Sequence, residues 1–404
     1  MKDLNVLKKL FLLYSVFSSL VCADELSNIL SDNKNILFDY QLQLNDAKSN
    51  TLENSWINPI MVQYRKSYSQ QFSDKTIDTG SFTVGIDQPI FRSGGIYYAI
   101  KYAKALRGAN EVDIKLKKRE TIGNAVKFLF EMKKLKLEKR KVSLLIKNDT
   151  IDIRQKRENY EAGLIDSSFL DQAILKKNQD EIKQLEMETS LMGLEENFAL
   201  LSDKSPNSLK LPKLKLITSE QYKGNNLELA RDDLRAKQAA YNTKITWAKY
   251  LPTVSVQARY TDEDINPLFA QGGGLEEKYF SYGFTVSMPV NINMFSDVEA
   301  SKVEQLKSQT EVIDKKHIID EEYKLVRKKL HIIDKKIALA RKDALLYQRL
   351  YRTTRNLAQV GEKTSYDTAL MHNSLEARKL DQQIYMIDKQ IELLRLYVKV
   401  ENAI

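Results

Sequence analysis

The chain has 404 residues, a formal charge of +9, only 14 glycines and 7 prolines, and 29% charged residues. That balance argues against a compact mixed domain and for long helices. The lysines and arginines are spread along the chain rather than gathered into a tail, which favours a solvated helical face over a nucleic-acid partner.

The first stretch, "MKDLNVLKKLFLLYSVFSSLVCADEL", has a positive start at Lys2, Lys8 and Lys9, an apolar core over 10–21, and Val21-Cys22-Ala23. It reads as a secretory signal, residues 1–23, cut after Ala23. The apolar run is short for a helix that must span a bilayer, which takes about 20 residues. Lipid attachment at Cys22 is disfavoured by Val21 and Ser19. No later segment is apolar enough for a membrane helix, so a membrane crossing must be made by strands.

The rest divides into two similar halves, 24–204 and 226–404, joined by a linker at 205–225. "SFTVGIDQPIFRSGG" (81–95) resembles "GFTVSMPVNINMFSD" (283–297), and "NYEAGLIDSSFLDQA" (159–173) resembles "LAQVGEKTSYDTAL" (357–370). Pro89 and Pro289 stand 200 residues apart, Gly163 and Gly361 198 apart. These near-equal offsets indicate a tandem duplication.

In chain order, an N-terminal helix is expected over 26–54, then strands at 57–68 and 81–91. A long helix follows from Ser93, about 70 residues and roughly 100 Å at 1.5 Å per residue. A tight hairpin tip comes next at Gly163, with Asp166 or Ser167 starting the following helix, 165–202. The second half repeats the plan: helix 226–250, strands at 251–262 and 279–292, a long helix, a tip at Gly361 and a helix over 364–400, begun by Thr364 or Ser365. Stacking 165–202 with 226–250, and 364–400 with 26–54, returns alongside each long helix. The polar connections 69–80 and 262–277 read as hairpin loops.

The strands alternate. Phe280, Tyr282, Phe284, Val286 and Met288 fall on one parity and Ser281, Gly283, Thr285 and Ser287 on the other. Strands of about ten residues cross a bilayer when tilted. On the second long helix, Tyr323, Val326, Leu330, Ile333, Ile337, Ala340, Ala344, Tyr347 and Tyr351 keep a 3.5-residue period. A second stripe runs beside them at Leu325, Ile332, Leu339 and Leu346. Two stripes let one helix pack on both sides, as a ring of helices requires. Four strands cannot close a membrane barrel alone, so several chains must share one, and three give twelve strands. The expected fold is therefore mainly α with β: a long coiled-coil α-helical barrel continuous with a transmembrane β-barrel, four strands per chain, trimeric.

At "YLPTVSVQARY", "QPIFRSGG", "NNLELARDDLRAKQAAYNTKITWAKYLP", "YEAGLIDSSFLDQA" and "VGEKTSYDTAL" the sequence resembles the TolC-type outer-membrane efflux protein family. The resemblance implies a homotrimeric channel-tunnel set in outer-membrane lipid, its helical barrel in the periplasm. It also implies an inner-membrane transporter and a periplasmic adaptor docked at the tips, for drug efflux or type I protein secretion. It points to Gly163, Leu164, Ser167, Ser168, Gly361, Thr364 and Ser365 as tip residues. In the family's best-known member, acidic residues six and nine positions after the second tip glycine ring the periplasmic entrance. Here Asp367 matches and Leu370 does not. The closing tyrosine and arginine of that member are replaced by Ala358 and Lys363, so the same closing bonds are not expected. Asp367 also suits helix-dipole stabilisation.

No Ser/His/Asp set, phosphate loop or metal-spaced cluster appears, and His317, His331 and His372 are scattered, so neither an enzyme nor a cofactor is expected. The alternatives are a periplasmic adaptor, which lacks the duplication, and a coiled-coil surface rod, which lacks the strands.

Overall fold

The computed structural model describes residues 29–72, 75–264 and 276–401. The signal segment with Cys22, and most of the 262–277 connection, lie outside the described residues. In order the elements are α1 (Asp32–Glu53), β1 (Met61–Phe72), β2 (Lys75–Phe91), α2 (Gly95–Glu161), α3 (Ser167–Ala199), α4 (Ser219–Gly224), α5 (Leu227–Ala248), β3 (Thr253–Glu263), β4 (Lys278–Ser287), α6 (Met294–Gln359) and α7 (Ser365–Tyr397). A single 3-10 turn, Pro206–Ser208, precedes α4, so the 205–225 linker carries two short helical pieces.

The two long helices have 67 and 66 residues. Neither contains a proline, and α6 contains no glycine, so nothing in either stretch removes a ladder hydrogen bond. The interior glycines of α2 mark close approaches: Gly108 faces Leu234, and a Cβ at Gly123 would come within 2.3 Å of Val398 Cγ2.

The strands form one antiparallel sheet in the order β1-β2-β3-β4. Val62 pairs with Val84, Val84 with Tyr260 and Tyr260 with Phe280. This register puts the apolar parities of all four strands on one face, with the Tyr260 and Phe280 rings 4.9 Å apart. Tyr64, Tyr68, Phe280, Tyr282, Phe284 and Val286 are exposed there. Thr83, Arg259, Gln257, Ser281 and Thr285 share the opposite, polar face.

The strands differ from the expected bounds. β1 begins at Met61 rather than 57, because Pro59 has no N–H for the ladder. The connection expected over 69–80 is mostly strand: β1 runs to Phe72, β2 starts at Lys75, and Phe72 pairs with Lys75. β4 stops at Ser287, two residues before Pro289, instead of at 292.

The described residues form two units, one of 29–39, 115–227 and 316–401, the other made of those within 40–114 and 228–315. In the first, ion pairs fix a row of helices. α3 meets α2 through Lys139–Glu188 at 2.6 Å, α2 meets α7 through Lys134–Asp388 at 2.8 Å and Lys141–Asp381 at 2.6 Å, and α7 meets α6 through Lys389–Asp334 at 2.7 Å. The apolar period of the long helix is the packed side: Tyr323, Val326, Leu330, Ile333 and Ala340 are buried, as are Ala377, Leu380, Ile384, Ile387 and Leu394 of α7. In the second unit α1 meets α2 through Arg107–Asp46, 2.9 Å, and α5 bridges Tyr102 of α2 and Ser301 of α6 through Gln238 and Thr243.

The expected stacking of short helices is corrected. Ser31 N–H donates to Leu201 O at 2.9 Å, so the start of α1 meets the end of α3, not of α7. Leu227 N–H donates to Lys399 O at 2.9 Å, and Asn226 bridges Val400, so the start of α5 meets the end of α7. The summed lengths fit either pairing, and these terminal hydrogen bonds decide between them.

Candidate functional site

Two hairpin tips stand in the first unit, built alike. At the first, Gly163 takes φ +71°, Leu164 N–H donates to Asn159 O at 2.8 Å and Gly163 N–H to Tyr160 O at 2.9 Å. At the second, Gly361 takes φ +84°, Glu362 N–H donates to Leu357 O at 3.0 Å and Gly361 N–H to Ala358 O at 3.3 Å. Both are paired-bond helix ends that need a left-handed residue, which is why glycine stands at each.

The following helices are capped differently. Asp166 caps α3 by accepting from Ser168 N–H at 2.8 Å, so Ser167 and Ser168 are the first two helical residues. Donation by that N–H holds the exposed Asp166 carboxyl below the usual carboxylate range. Thr364 caps α7 in a reciprocal box. Its Oγ1 accepts from Asp367 N–H at 3.1 Å, and Asp367 Oδ2 accepts from Thr364 N–H at 3.0 Å and from its hydroxyl at 2.9 Å. These donors, first the backbone N–H and then the hydroxyl, lower the Asp367 pKa, with a smaller contribution from Lys363. Asp367 is therefore an ionised helix-capping group, half-buried beside exposed Lys363 and Ser365.

The tips are joined. Tyr366, in the first turn of α7, donates its hydroxyl to Glu158 Oε1 in the last turn of α2 at 3.2 Å, and the Arg154 guanidinium lies 5.6 Å from the Tyr366 ring centroid. Tyr366 and Glu158 are site residues that the motif comparison passed over. The only signal in the sequence is that Tyr366 opens a spacing of three and four residues along α7, through Leu370, Asn373, Ala377, Leu380 and Ile384. Leu164, Phe169 and Val360 are exposed apolar side chains at the tips.

Among the described residues no group of three or more His, Asp or Glu is placed to hold a metal ion, and no helix is long and apolar enough to cross a membrane. In the second unit Trp247 packs under Lys302, 5.5 Å from its ring centroid, at the end of α5 just before β3.

No protein family and no curated protein matches the chain by sequence. Solved structures do. The outer membrane protein VceC of Vibrio cholerae is 14% identical, covers 94% of this chain and 96% of its own, and gives a TM-score of 0.73. The Campylobacter jejuni CmeC outer membrane channel is 13% identical over 94% of this chain and 85% of its own, with a TM-score of 0.74. The open state of the Neisseria gonorrhoeae MtrE outer membrane channel is 11% identical over 92% and 88%, with a TM-score of 0.61. These likenesses span nearly all of this chain, and the chain has the fold of the TolC-type outer-membrane channels.

Proposed function

We propose that the protein is an outer-membrane channel-tunnel. Three copies share one barrel of twelve strands, and the helical parts form a conduit in the periplasm. It exports small molecules or proteins together with an inner-membrane transporter and a periplasmic adaptor docked at the hairpin tips. The chain reaches this location by the signal at 1–23. The near-equal lengths of α2 and α6, and of α3 and α7 with 33 residues each, support descent from a tandem duplication.

The observation that carries the reading is the sheet. One face is exposed and apolar, the other polar, and both edges, β1 and β4, are open. An apolar face of this size is stable against lipid, and its edge N–H and C=O groups are satisfied in hydrocarbon only if the sheet closes on further copies. The polar face then lines a water-filled lumen. A periplasmic adaptor or a surface rod has no use for such a face. Native mass of the detergent-extracted outer-membrane fraction tests the proposal. A trimer is expected; a stable monomer, or recovery in the soluble fraction, overturns it.

A further inference from the structure

The row of helices in the first unit has two ends, α3 and α6. Hydrogen bonds and ion pairs link α3 to α2, α2 to α7 and α7 to α6, and none joins α3 to α6 among the described residues. Each end helix keeps one apolar stripe that its own chain leaves uncovered. On α6 it is Leu325, Ile332, Leu339 and Leu346; on α3 it is Leu175, Ile182, Leu185 and Met192.

Charge runs beside both stripes at the same spacing. Lys328, Lys335, Lys342 and Arg349 follow the α6 stripe every seven residues, all exposed and without an ion pair among the described residues. Glu181, Glu188 and Glu195 recur every seven residues on α3. Glu188 and Glu181 each accept from one lysine of their own chain, Lys139 and Lys177, and carboxylates have lone pairs for a second donor.

The heights above the tips agree. α3 climbs away from Gly163 while α6 descends to Gly361, and Tyr366–Glu158 holds the two tips side by side. Glu181, Glu188 and Glu195 stand 18, 25 and 32 residues after Gly163; Lys342, Lys335 and Lys328 stand 19, 26 and 33 before Gly361. Leu185 and Leu339 are both 22 residues from their glycines, and Met192 and Ile332 both 29. Each charged pair is thus level to within one residue, about 1.5 Å of rise.

We infer that α6 of one copy packs antiparallel against α3 of the next. The two apolar stripes form the core of that seam, and Glu181–Lys342, Glu188–Lys335 and Glu195–Lys328 form an ion-pair ladder that sets its register. This inference rests on the trimeric reading and names the surface that builds the trimer. A second copy is the occupant because both halves of the ladder lie on this one chain at matching heights. Heptad-spaced charges beside an apolar seam select partner and register in coiled coils, and exposed pairs of this kind act more through the rejection of wrong registers than through net stabilisation.

Paired cysteines test it in the full-length protein, whose only native cysteine is Cys22. Leu185→Cys with Leu339→Cys, and separately Met192→Cys with Ile332→Cys, should give covalent dimers and trimers on mild oxidation of membranes. Leu185→Cys with Ile332→Cys is seven residues out of register, roughly 10 Å, and should stay monomeric on a denaturing gel, because a disulfide needs Cα atoms within about 7 Å. In-register pairs that fail to cross-link in a protein that native mass shows to be trimeric would overturn the seam and leave the trimer standing; a monomer in native mass would overturn both. Lys328→Glu with Lys342→Glu should lower trimer yield roughly tenfold at low salt, and adding Glu195→Lys and Glu181→Lys should restore it, because like charges placed opposite each other across an interface are strongly unfavourable. Failure of the restoring pair would remove the ladder from the seam.

Discussion

Tyr366 of α7 donates to Glu158 of α2 across 3.2 Å, and this bond ties the last turn before one tip to the first turn after the other. The Arg154 guanidinium beside the Tyr366 ring holds the same junction. Tyr366→Phe keeps the ring and removes the hydroxyl. The exposed bond contributes about 1 kcal/mol or less, so the fold should persist while the tips separate more readily. In planar bilayers the variant should show a higher open fraction than wild type, and limited proteolysis should cut faster near residues 158–168. Unchanged gating and unchanged cleavage would remove Tyr366 from the closing contacts.

Asp367 has a capping role in the structure and a proposed role at the channel entrance. The depressed pKa means that its capping contribution is complete above the ordinary aspartate value of about 3.9 and fades as pH falls through the lower folded value. Asp367→Asn should cost α7 about 0.5 kcal/mol of dipole stabilisation. If three copies face one axis, the same variant should also weaken cation selectivity and block by multivalent cations in single-channel recordings at low salt, where screening is least. A change in stability alone would confine Asp367 to capping.

Much of this architecture is legible in the residues, for identifiable reasons. Gly163 and Gly361 are each followed within three residues by a capping side chain, a local signal that tertiary packing does not override. The period-2 faces of β3 and β4 and the 3.5-residue period of α6 are equally local. What is not legible is longer-ranged. The partner of each short helix shows only in terminal contacts, at Ser31 for α1 and at Asn226 and Leu227 for α5. The segments on either side of residues 73–74 are largely polar yet pair as strand, where polarity reads as loop. The Tyr366–Glu158 contact joins residues 208 apart in sequence, which no periodicity signals.

Gly123 carries a stability prediction. A Cβ there would lie 2.3 Å from Val398 Cγ2, where the chain leaves α7. Nearby, Arg119 donates to Tyr397 O at 3.0 Å and to Val398 O at 3.3 Å, which pins that segment and limits its retreat. Gly123→Ala should destabilise by about 1–3 kcal/mol through overpacking, against a small gain in helix propensity. Adding Val398→Ala should recover most of the loss. Thermal unfolding of the two variants checks this, and an unaltered melting temperature in Gly123→Ala would show that the segment relaxes freely.

In the proposed channel the stretch between β3 and β4, longer in sequence than the one between β1 and β2, would lie outside the cell, as the long loops of membrane barrels do. An epitope tag placed there should be labelled on intact cells, and one placed after Gly361 should be labelled only after the outer membrane is opened. The reverse pattern would invert the proposed orientation.

Asp149 and Asp180 give the α2–α3 hairpin a pH dependence whose sign can be worked out. Asp149 is 2% exposed, pairs with Lys176 Nζ through Oδ1 at 2.5 Å, and its Oδ2 accepts no hydrogen bond among the described residues. Asp180, one turn after Lys176 on α3, has a raised pKa, first from burial and then from the neighbouring Asp149, with Lys176 and Lys183 opposing the shift. A carboxyl that holds its proton more tightly folded than unfolded contributes most below the ordinary value of about 3.9, and that contribution is lost as pH rises through its higher folded value. The wild-type hairpin should therefore loosen as pH climbs past the acid range. Asp180→Asn supplies a neutral side chain with an N–H to offer Asp149 Oδ2. It should raise the melting temperature at neutral pH and flatten its dependence between acid and neutral. Lys176→Met should act in the opposite direction, because it leaves the buried Asp149 carboxylate without its cation. Melting curves of the three proteins across pH 4–8 would decide, and parallel profiles for wild type and Asp180→Asn would show that the two carboxylates are not coupled.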